Sequence, residues 1–563
     1  MSPTGTSHQA IRGIGVSPGR AVGTVLRMPP PVPEPSGTRR GPGLSDDDAA
    51  AQIAAAAERV REGLERSAQG AVGTSREVLE TTAMMAADPT LVSTAQDLVR
   101  SGDLTPARAV WEAAGQVIDQ LAALGGYMAE RTRDVADVRD RVVAALTGRP
   151  APGVPDPGHP FVLVARDLAP ADTATLDPDR VLAIVTSEGG PTSHTAILAR
   201  ALGIPAVVGA AGAVDLHDDA PVLVDGGKGE VVPDPSEEQV ARAQELAAQV
   251  RTFDGHGRTR DGHPVPLLAN VGNPDGAQPA ADAGAEGVGL FRTEFCFLDR
   301  KQAPTVEEQV AAYRRVLAAF AGKKVVVRTL DAGADKPLPF LTATDEPNPA
   351  LGVRGLRTAT RDAQVLEDQL TAIAQAAAAE HAETWVMAPM VATVEETEDF
   401  VARCTAHGLP TAGVMVEVPS AALLAGPILA RAAFASIGTN DLTQYAMASD
   451  RLLGSLAGLS TSWQPAVLQL IAATCRGGAQ QGRPVGVCGE AAADPALAVV
   501  LVGLGVATLS MSPRALPDVA AVLASVTRDE CRRLAERALV AETADAARAE
   551  IRAALPVLEE LGL

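Results

Sequence analysis

The feature that most constrains the fold is a series of eight apolar, β-rich segments between residues 265 and 511. They occupy residues 265–271, 287–291, 324–330, 384–390, 412–418, 434–437, 484–487 and 508–511. Segments of helical periodicity, such as 306–320 and 362–380, separate most of them. Eight strands alternating with helices are what a (β/α)8 barrel requires, so the sequence predicts a TIM barrel over residues 258–563. The periodicity alone also permits an open, doubly wound sheet.

The first half of the chain has two other patterns. Apolar residues alternate with glycines over 11–26, and strand-like runs return at 161–165, 181–185, 206–208 and 222–224. These runs predict one α/β domain built from residues 1–28 and 150–235. Residues 44–148 have helical spacing almost throughout, which predicts a helical bundle inserted into that domain. Ser236 and Gln239 match a capping box, which predicts a connecting helix over 236–250 inside a hinge segment, 236–257.

The charge of the chain excludes some classes of partner. Lys and Arg number 48 against 69 Asp and Glu, a formal net charge of −21, which disfavours binding to nucleic acid or to anionic membranes. The five cysteines are scattered and show no C-x-x-C spacing, as is usual in a reducing compartment. The uncharged stretch 495–513 contains Gly503 and Gly505, so we interpret it as a buried helix followed by a strand. We therefore expect a cytoplasmic protein that does not cross a membrane.

Charged side chains follow the predicted barrel strands at the end where TIM barrels carry their sites. Just past the strands lie Arg292, Arg328, Glu417, Asn440, Asp441 and Cys488, and the neighbouring loops add Arg354, Arg451 and Lys336. Guanidinium groups bind phosphate and carboxylate groups in a bidentate manner, and carboxylates are ligands suited to Mg²⁺. Any one of these residues alone could simply form an ion pair on the rim. Six at successive strand ends predict a site for an oxyanion and a magnesium ion.

Cysteine and histidine supply two further candidates. Cys488 is a buried apolar residue by the usual expectation, but in an anion site it could donate a proton with a pKa near neutral. Residues 187–196, SEGGPTSHTA, predict a helix that begins near Pro191 or Thr192. His194 then lies in the first turn, where the helix dipole favours a neutral, nucleophilic ring and the free N–H groups suit a phosphoryl group. A structural histidine is the alternative for this residue taken alone. Together, the two regions predict phosphoryl transfer onto His194.

Five long motifs carry a family resemblance. They are GGPTSHTAILAR (189–200), GAEGVGLFRTEF (284–295), VMVEVP (414–419), IGTNDLTQY (437–445) and VCGE (487–490). With these motifs, over essentially the whole chain, the sequence resembles Enzyme I of the bacterial phosphotransferase system. The resemblance implies phosphoenolpyruvate-dependent phosphorylation of His194 with release of pyruvate. It also implies transfer of the phosphoryl group to the carrier protein HPr, as the first step of sugar uptake.

The same resemblance implies roles for individual residues. It implies that Arg292, Arg328, Arg354 and Arg451 bind phosphoenolpyruvate with help from Asn440. It also implies that Glu417 and Asp441 bind Mg²⁺ and that Cys488 protonates the enolate. Lys336, in a neighbouring loop, extends the substrate-binding cluster by its position alone. The resemblance further implies that the helical insertion docks HPr, with Glu80, Met84, Met85 and Arg131 near the expected contacts. It also implies a homodimer formed through the barrel domain. The sequence departs from the family at Leu452-Leu453, where Gly-Asn is usual, and at Thr82, where His is common.

Three alternative functional assignments compete with Enzyme I. Pyruvate phosphate dikinase and phosphoenolpyruvate synthase share the modules, but they carry a large nucleotide-binding domain for which this sequence has no room. The nitrogen-system paralogue of Enzyme I usually adds an N-terminal sensory domain, whereas only ten residues precede Ile11. A binding protein derived from a decayed enzyme would explain Leu452-Leu453, but every matched catalytic side chain is present.

Overall fold

The structure is a computed structural model. It describes residues 10–29, 32–37, 40–41, 43–70, 74–124, 132–150, 152–155, 157–168, 176–177, 180–190, 193–247, 249, 251–298, 300–333, 337–342, 346, 348–450 and 454–563. The chain divides into two compact units, one composed mostly of residues up to 244 and the other of residues 245–563. Each unit is described by itself.

The first unit contains a mixed sheet of eight strands. They are β1 (Ile11–Arg12), β2 (Ile14–Ser17), β3 (Arg20–Arg27), β4 (Phe161–Ala165), β5 (Val181–Thr186), β6 (Ala206–Val208), β7 (Pro221–Asp225) and β8 (Glu230–Pro233). Their order in the sheet is β1-β8-β7-β3-β4-β5-β6-β2. Strands β3 to β6 are parallel, with Val25 beside Val162, and the outer strands pair antiparallel. The sheet therefore joins strands from before and after the helical segment.

The helical segment lies between the paired strands β3 and β4. Its described helices are α1 (Asp46–Gly70), α2 (Thr74–Ala86), α3 (Pro89–Gly102), α4 (Pro106–Leu124) and α5 (Thr132–Thr147). Asp88 caps α3 by accepting hydrogen bonds from the N–H groups of Thr90 and Leu91 at 2.8 and 3.0 Å. Small side chains such as Ala56, Ala109 and Ala113 dominate its buried core, so the helices approach closely. The segment has its own core, as a bundle inserted into the sheet requires.

Among the residues described in the rest of this region, two α-helices follow, α6 (His194–Leu202) and α7 (Glu237–Ala247). The capping box of α7 is present, since Ser236 N–H donates to Gln239 Oε1 at 2.8 Å and Gln239 N–H donates to Ser236 Oγ at 3.3 Å. The helix ends at Ala247, so the prediction of a helix to 250 was wrong. The chain beyond it is held by Arg251, which bonds to Asp518 at 2.5 Å and to the Leu561 carbonyl at 3.0 Å.

The second unit is a closed barrel of eight parallel strands. They are β9 (Leu267–Val271), β10 (Gly287–Phe291), β11 (Lys324–Arg328), β12 (Glu383–Ala388), β13 (Ala412–Val416), β14 (Ala435–Gly438), β15 (Val485–Cys488) and β16 (Thr508–Met511). They pair in chain order, and β16 closes the sheet by pairing Leu509 with Leu267. The TIM barrel is confirmed, and the open sheet is excluded. Three predicted strands ran too long, to 330, 390 and 418, because their last residues turn into the loops at the barrel mouth.

Helices surround the barrel and cover its apolar outer surface. They are α8 (Ala277–Asp282), α9 (Val306–Ala319), α10 (Ala363–Ala379), α11 (Val394–Ala406), α12 (Pro419–Leu423), α13 (Ala425–Leu429), α14 (Thr439–Met447), α15 (Pro465–Gln481), α16 (Glu490–Ala493), α17 (Pro495–Leu504), α18 (Leu516–Leu523), α19 (Arg528–Leu539), α20 (Ala544–Ala553) and α21 (Val557–Leu561). Helix α17 is buried and leads to β16, as predicted for 495–513. Within the described part of the chain, no helix combines the length and apolar composition that a membrane crossing needs.

Candidate active site

A buried arginine lies at the centre of the barrel mouth. Arg328 is the last residue of β11, and its Nη2 donates to Glu294 Oε1 at 2.7 Å. Its Nη1 lies 3.0 Å from Asp331 Oδ2. Burial works against the charge of Arg328, but the carboxylates of Glu294, Asp331 and Glu417 outweigh it and raise its pKa. Arg328 is therefore a fixed positive charge held between two carboxylates.

A second buried arginine lies on the other side of Asp331. The Nη2 of Arg354 is 3.9 Å from Asp331 Oδ2, and its Nη1 is 3.4 Å from Asp441 Oδ1. The same Nη1 donates to the hydroxyl of Tyr445 at 3.1 Å. Tyr445 in turn donates to the carbonyl of Ala350, in the loop that carries Arg354. Asp331 therefore lies between two guanidinium groups, and Tyr445 joins helix α14 to that loop.

Glu417 lies just past the end of β13 and is almost completely buried. Its Oε2 accepts a hydrogen bond from the Met390 N–H at 2.9 Å. Met390 has φ +59°, an uncommon left-handed conformation for a residue with a side chain. A Cβ on Gly438 would lie 2.7 Å from Glu417 Oε1, so glycine is needed for this approach. Burial raises the pKa of Glu417, and the negative charges of Asp331 and Asp441 raise it further.

The donor set at this place fits a hard divalent cation. Glu417 and Asp441 are buried carboxylates whose repulsion a cation would relieve, and Mg²⁺ prefers one or two carboxylates completed by water and substrate oxygens. Among the residues that the structure describes, no group of three or more His, Cys, Asp or Glu side chains is arranged to hold a metal. The pair therefore suits a metal whose remaining ligands come from substrate and water.

The thiol of Cys488 ends strand β15 inside the barrel. Ser436 Oγ donates to its sulfur at 3.3 Å, and the thiol donates to the Ile437 carbonyl at 3.6 Å. Burial raises the pKa of Cys488 to about 11. The prediction of a pKa near neutral was wrong, because the hydrogen bond from Ser436 and the charges of Arg328 and Arg292 do not overcome the loss of hydration. The thiol stays protonated at neutral pH, which suits a proton donor.

Two other predicted residues lie at the ends of neighbouring strands. Arg292 follows β10, where its backbone N–H donates to the Val271 carbonyl at 2.9 Å, and its side chain is exposed. Its charge acts on the Cys488 thiol. Asn440 is partly buried, and a Cβ on Gly489, the residue after Cys488, would lie 3.6 Å from its Oδ1. Arg292 and Asn440 therefore lie on the Cys488 side of the mouth.

Some predicted residues lie outside the described part of the chain. These are Lys336, Arg451, Arg131, and Leu452 with Leu453. In the helical insertion, Glu80 and Met84 are exposed, whereas Met85 packs against the core and Thr82 is buried. Of the three predicted contact residues that the structure describes, Glu80 and Met84 are therefore exposed, and Met85 is partly buried.

His194 is the first residue of helix α6, a few residues later than the predicted start. The helix is capped by Ser193, whose Oγ accepts a hydrogen bond from the Ala196 N–H at 3.2 Å. Thr195 donates to Asp167 Oδ1 at 3.1 Å, which ties the start of the helix to the loop after β4. Gly189 has φ +91°, and a Cβ there would contact Ser193 and Asp167. Gly189 therefore lies close to both Ser193 and Asp167.

Sequence reasoning missed three residues of the barrel mouth: Glu294, Asp331 and Tyr445. Glu294 follows Arg292 by two positions and Asp331 follows Arg328 by three, so reading further past each strand end would have found both. Tyr445 lies one helical turn after Asp441 in α14, a spacing that places both side chains on one face.

The chain matches three family profiles along its length. Residues 12–131 match the N-terminal domain of phosphoenolpyruvate-utilising enzymes, and residues 157–229 match their mobile domain. Residues 247–528 match their phosphoenolpyruvate-binding domain.

Curated relatives match over almost the whole chain. A protein of Streptomyces coelicolor named phosphoenolpyruvate-protein phosphotransferase is 50% identical over 551 residues, which cover 97% of this chain and 99% of that protein. Proteins of the same name from Haloferax volcanii and Bacillus subtilis are 41% and 34% identical, each over 95% of this chain and 98% of their own length.

Proposed function

Because the chain belongs to the phosphoenolpyruvate-protein phosphotransferases, a family of phosphoenolpyruvate-utilising enzymes, we propose that it transfers the phosphoryl group of phosphoenolpyruvate to its own His194 and releases pyruvate. From His194 the phosphoryl group passes to an HPr-type carrier protein, as the first step of sugar uptake. The observation that carries the proposal is the pair of buried arginines, Arg328 and Arg354, joined through Asp331 at the barrel mouth.

The arginines account for substrate binding. Phosphoenolpyruvate carries a phosphate and a carboxylate, and a guanidinium group binds either in a bidentate manner. Arg328 and Arg354 are fixed by carboxylates and by Tyr445, so little ordering is required of them when substrate binds. Phosphoryl transfer needs in-line positioning and charge stabilisation, which fixed positive charges supply. Arg292, Asn440, Arg451 and Lys336 complete the substrate site in this proposal.

Glu417 and Asp441 would hold the metal, which we propose is Mg²⁺. When bound, the ion supplies positive charge to the phosphoryl and enolate oxygens. The two carboxylates fix its position, and the Met390 N–H holds one oxygen of Glu417 in place.

Cys488 supplies the proton that completes pyruvate. Loss of the phosphoryl group leaves an enolate, and its methylene carbon takes the proton of the Cys488 thiol, so a C–H bond forms as the S–H bond breaks. The thiol is protonated at neutral pH because its pKa is raised to about 11. Burial of the site keeps bulk water from competing for the enolate.

The remaining parts of the proposal concern the other unit and its partners. His194 begins a helix, so the helix dipole favours a neutral ring, and the positive end of the helix suits a phosphoryl group. The helical insertion would dock HPr through Glu80, Met84, Met85 and Arg131. Residues 236–257 would serve as the hinge. Two copies of the chain would form a homodimer through their barrels. We place the protein in the cytoplasm.

The test is incubation of the full chain with Mg²⁺ and ³²P-labelled phosphoenolpyruvate. We expect one acid-labile, alkali-stable label per chain together with pyruvate release. We also expect that His194→Ala accepts no label, whereas His217→Ala, which removes an exposed histidine of the same unit, is labelled like the unaltered chain. Label on the His194→Ala protein would refute the assignment, and added HPr that does not remove the label would refute the proposed carrier.

A further inference from the structure

The barrel interior beneath Cys488 contains polar groups as well as apolar ones. A cavity of about 20 Å³ lies there, lined by Lys324, Ser436, Thr508 and Ser510 together with apolar and aromatic side chains. A cavity of this size can hold a water molecule when polar groups line it. The polar lining sits in a part of a TIM barrel that branched apolar side chains usually fill.

Ser436 contacts both the thiol and the cavity. It lies on β14, it is buried, and its hydroxyl donates to Cys488 Sγ at 3.3 Å while the side chain also lines the cavity. A hydroxyl group both donates and accepts, so it can pass a proton on without a net change of its own charge. Ser436 is therefore placed to connect the thiol with the cavity.

Lys324 lies at the far end of the same interior space. It is the first residue of β11, and Arg328 at the mouth is the last, so the two lie about 13 Å apart along the strand. Its Nζ is 4.4 Å from the centre of the Trp385 ring, and both side chains are only partly buried. Trp385 donates to the exposed Glu383 at 2.9 Å, so this end of the interior meets solvent.

The state of Lys324 suits proton transfer. Burial lowers the pKa of its ammonium group, and Glu383 opposes that shift only in part. An ammonium group of lowered pKa gives up a proton more readily than one in water, which is why partly buried lysines serve in acid–base chemistry.

We propose that Ser436 and Lys324 return a proton to Cys488 through the barrel interior, from the end opposite the substrate. The inference rests on the proposed function, in which each turnover leaves Cys488 as a thiolate. The thiolate takes the proton of the Ser436 hydroxyl, Ser436 takes one from cavity water, and that water takes one from the Lys324 ammonium group. The resulting amine is protonated by solvent, so one solvent proton replaces the one that pyruvate carried away.

The geometry explains why a separate path is useful. Only 1% of Cys488 is exposed, and bound substrate would lie between the thiol and the mouth. A path through Ser436 lets the thiol recover its proton while the mouth is covered.

The test compares two rates in the full chain with Mg²⁺. Rapid quenching gives the rate at which the first pyruvate forms from phosphoenolpyruvate, and proton NMR in D₂O gives the rate at which the methyl group of added pyruvate exchanges with solvent. Methyl exchange requires the Cys488 proton to exchange with solvent, whereas the first pyruvate uses the proton already present. In Ser436→Ala and Lys324→Met we expect the ratio of exchange to first turnover to fall by roughly tenfold or more.

Matched variants separate this role from a structural one. Ser436→Thr keeps the hydroxyl and should restore the ratio. Thr474→Val removes a buried hydroxyl bonded within helix α15, and Lys323→Met removes the neighbouring lysine, which bonds to the Ala285 carbonyl at 2.8 Å. Both should show the ratio of the unaltered chain.

Each outcome of the comparison decides something different. An unchanged ratio in Ser436→Ala and Lys324→Met, with exchange lost in Cys488→Ala, would overturn the proton path and leave the proposed function intact. Equal losses in both rates would reduce Ser436 and Lys324 to structural roles and would also overturn it. Exchange that survives Cys488→Ala would refute the proposed proton donor itself.

Discussion

Substitution of Arg328 should lower the free energy of unfolding, because its carboxylate partners are buried. The side chains of Arg328, Glu294 and Asp331 are 9%, 6% and 7% exposed, and the donor–acceptor distances are 2.7 and 3.0 Å. Arg328→Met keeps an unbranched apolar stem but removes the guanidinium group. Glu294 is then buried without its cation, and Asp331 keeps only the Arg354 guanidinium group at 3.9 Å. Loss of one partner of a buried ion pair costs about 3–5 kcal/mol, so we expect the free energy of unfolding of the barrel unit to fall by about that amount.

The assay is urea denaturation followed by tryptophan fluorescence and circular dichroism. The control is Arg315→Met, because Arg315 pairs with Asp275 at 2.5 Å but their side chains are 61% and 81% exposed. Such a surface pair contributes about 0–1 kcal/mol. Unpaired buried carboxylates have raised pKa values in the folded state, so the loss in Arg328→Met should be larger at pH 8 than at pH 5.5. Addition of Glu294→Gln and Asp331→Asn to Arg328→Met should restore part of the stability. A loss no greater than that of Arg315→Met, or one independent of pH, would refute this reasoning.

Three further predictions concern the mouth of the barrel. Tyr445→Phe removes the hydroxyl group that is hydrogen-bonded to Arg354 and to the Ala350 carbonyl. Because a hydrogen bond to a charged group is worth about 1.5–3 kcal/mol, calorimetry should show roughly ten- to a hundredfold weaker binding of phosphoenolpyruvate. Unchanged binding would contradict the role of Tyr445. Gly438→Ala places a Cβ 2.7 Å from Glu417 Oε1, so the affinity for Mn²⁺ measured by electron paramagnetic resonance should fall. The control Gly115→Ala lies in helix α4, where a Cβ meets nothing within 4 Å, and it should leave that affinity unchanged. With a pKa of about 11, about one Cys488 thiol in a thousand is ionised at pH 8. Iodoacetamide should therefore modify Cys488 far more slowly than free cysteine, and the rate should increase as the pH rises. Modification at the rate of free cysteine would show that the thiol is not buried as described.

The barrel strands could be predicted because parallel strands covered on both faces are continuous apolar runs. Their ends could not be predicted as well. Met390 is apolar and extends the run of β12, but its backbone turns to φ +59° so that its N–H meets Glu417. The hydrogen-bond partner of Met390 is Glu417, which lies just past the end of β13 and far from Met390 in the sequence, so the local sequence does not indicate the turn.

The residue types of the candidate site could be predicted from the sequence, but the ion pairs between its side chains could not. Arg328, Glu417 and Cys488 follow strands, so their shared location could be expected from the topology of a barrel. The partners of Arg328 depend on how two loops fold over the mouth, and the pKa of Cys488 depends on burial. Neither the partners of Arg328 nor the burial of Cys488 can be predicted from a short segment of the sequence.

The pairing of β3 with β4 has a consequence for synthesis of the chain. Arg27 ends β3 and Phe161 begins β4, and the two strands are neighbours in the sheet although the whole helical insertion separates them. At typical translation speeds, β3 is synthesised roughly 7 to 27 seconds before its parallel partner β4. The helical insertion can fold within that interval because its contacts are local. Its folding brings the two ends of the insertion together, and β4 can then pair with the edge of β3. The order of the sequence along the chain thereby sets an order of assembly, with the insertion first and the sheet around it second.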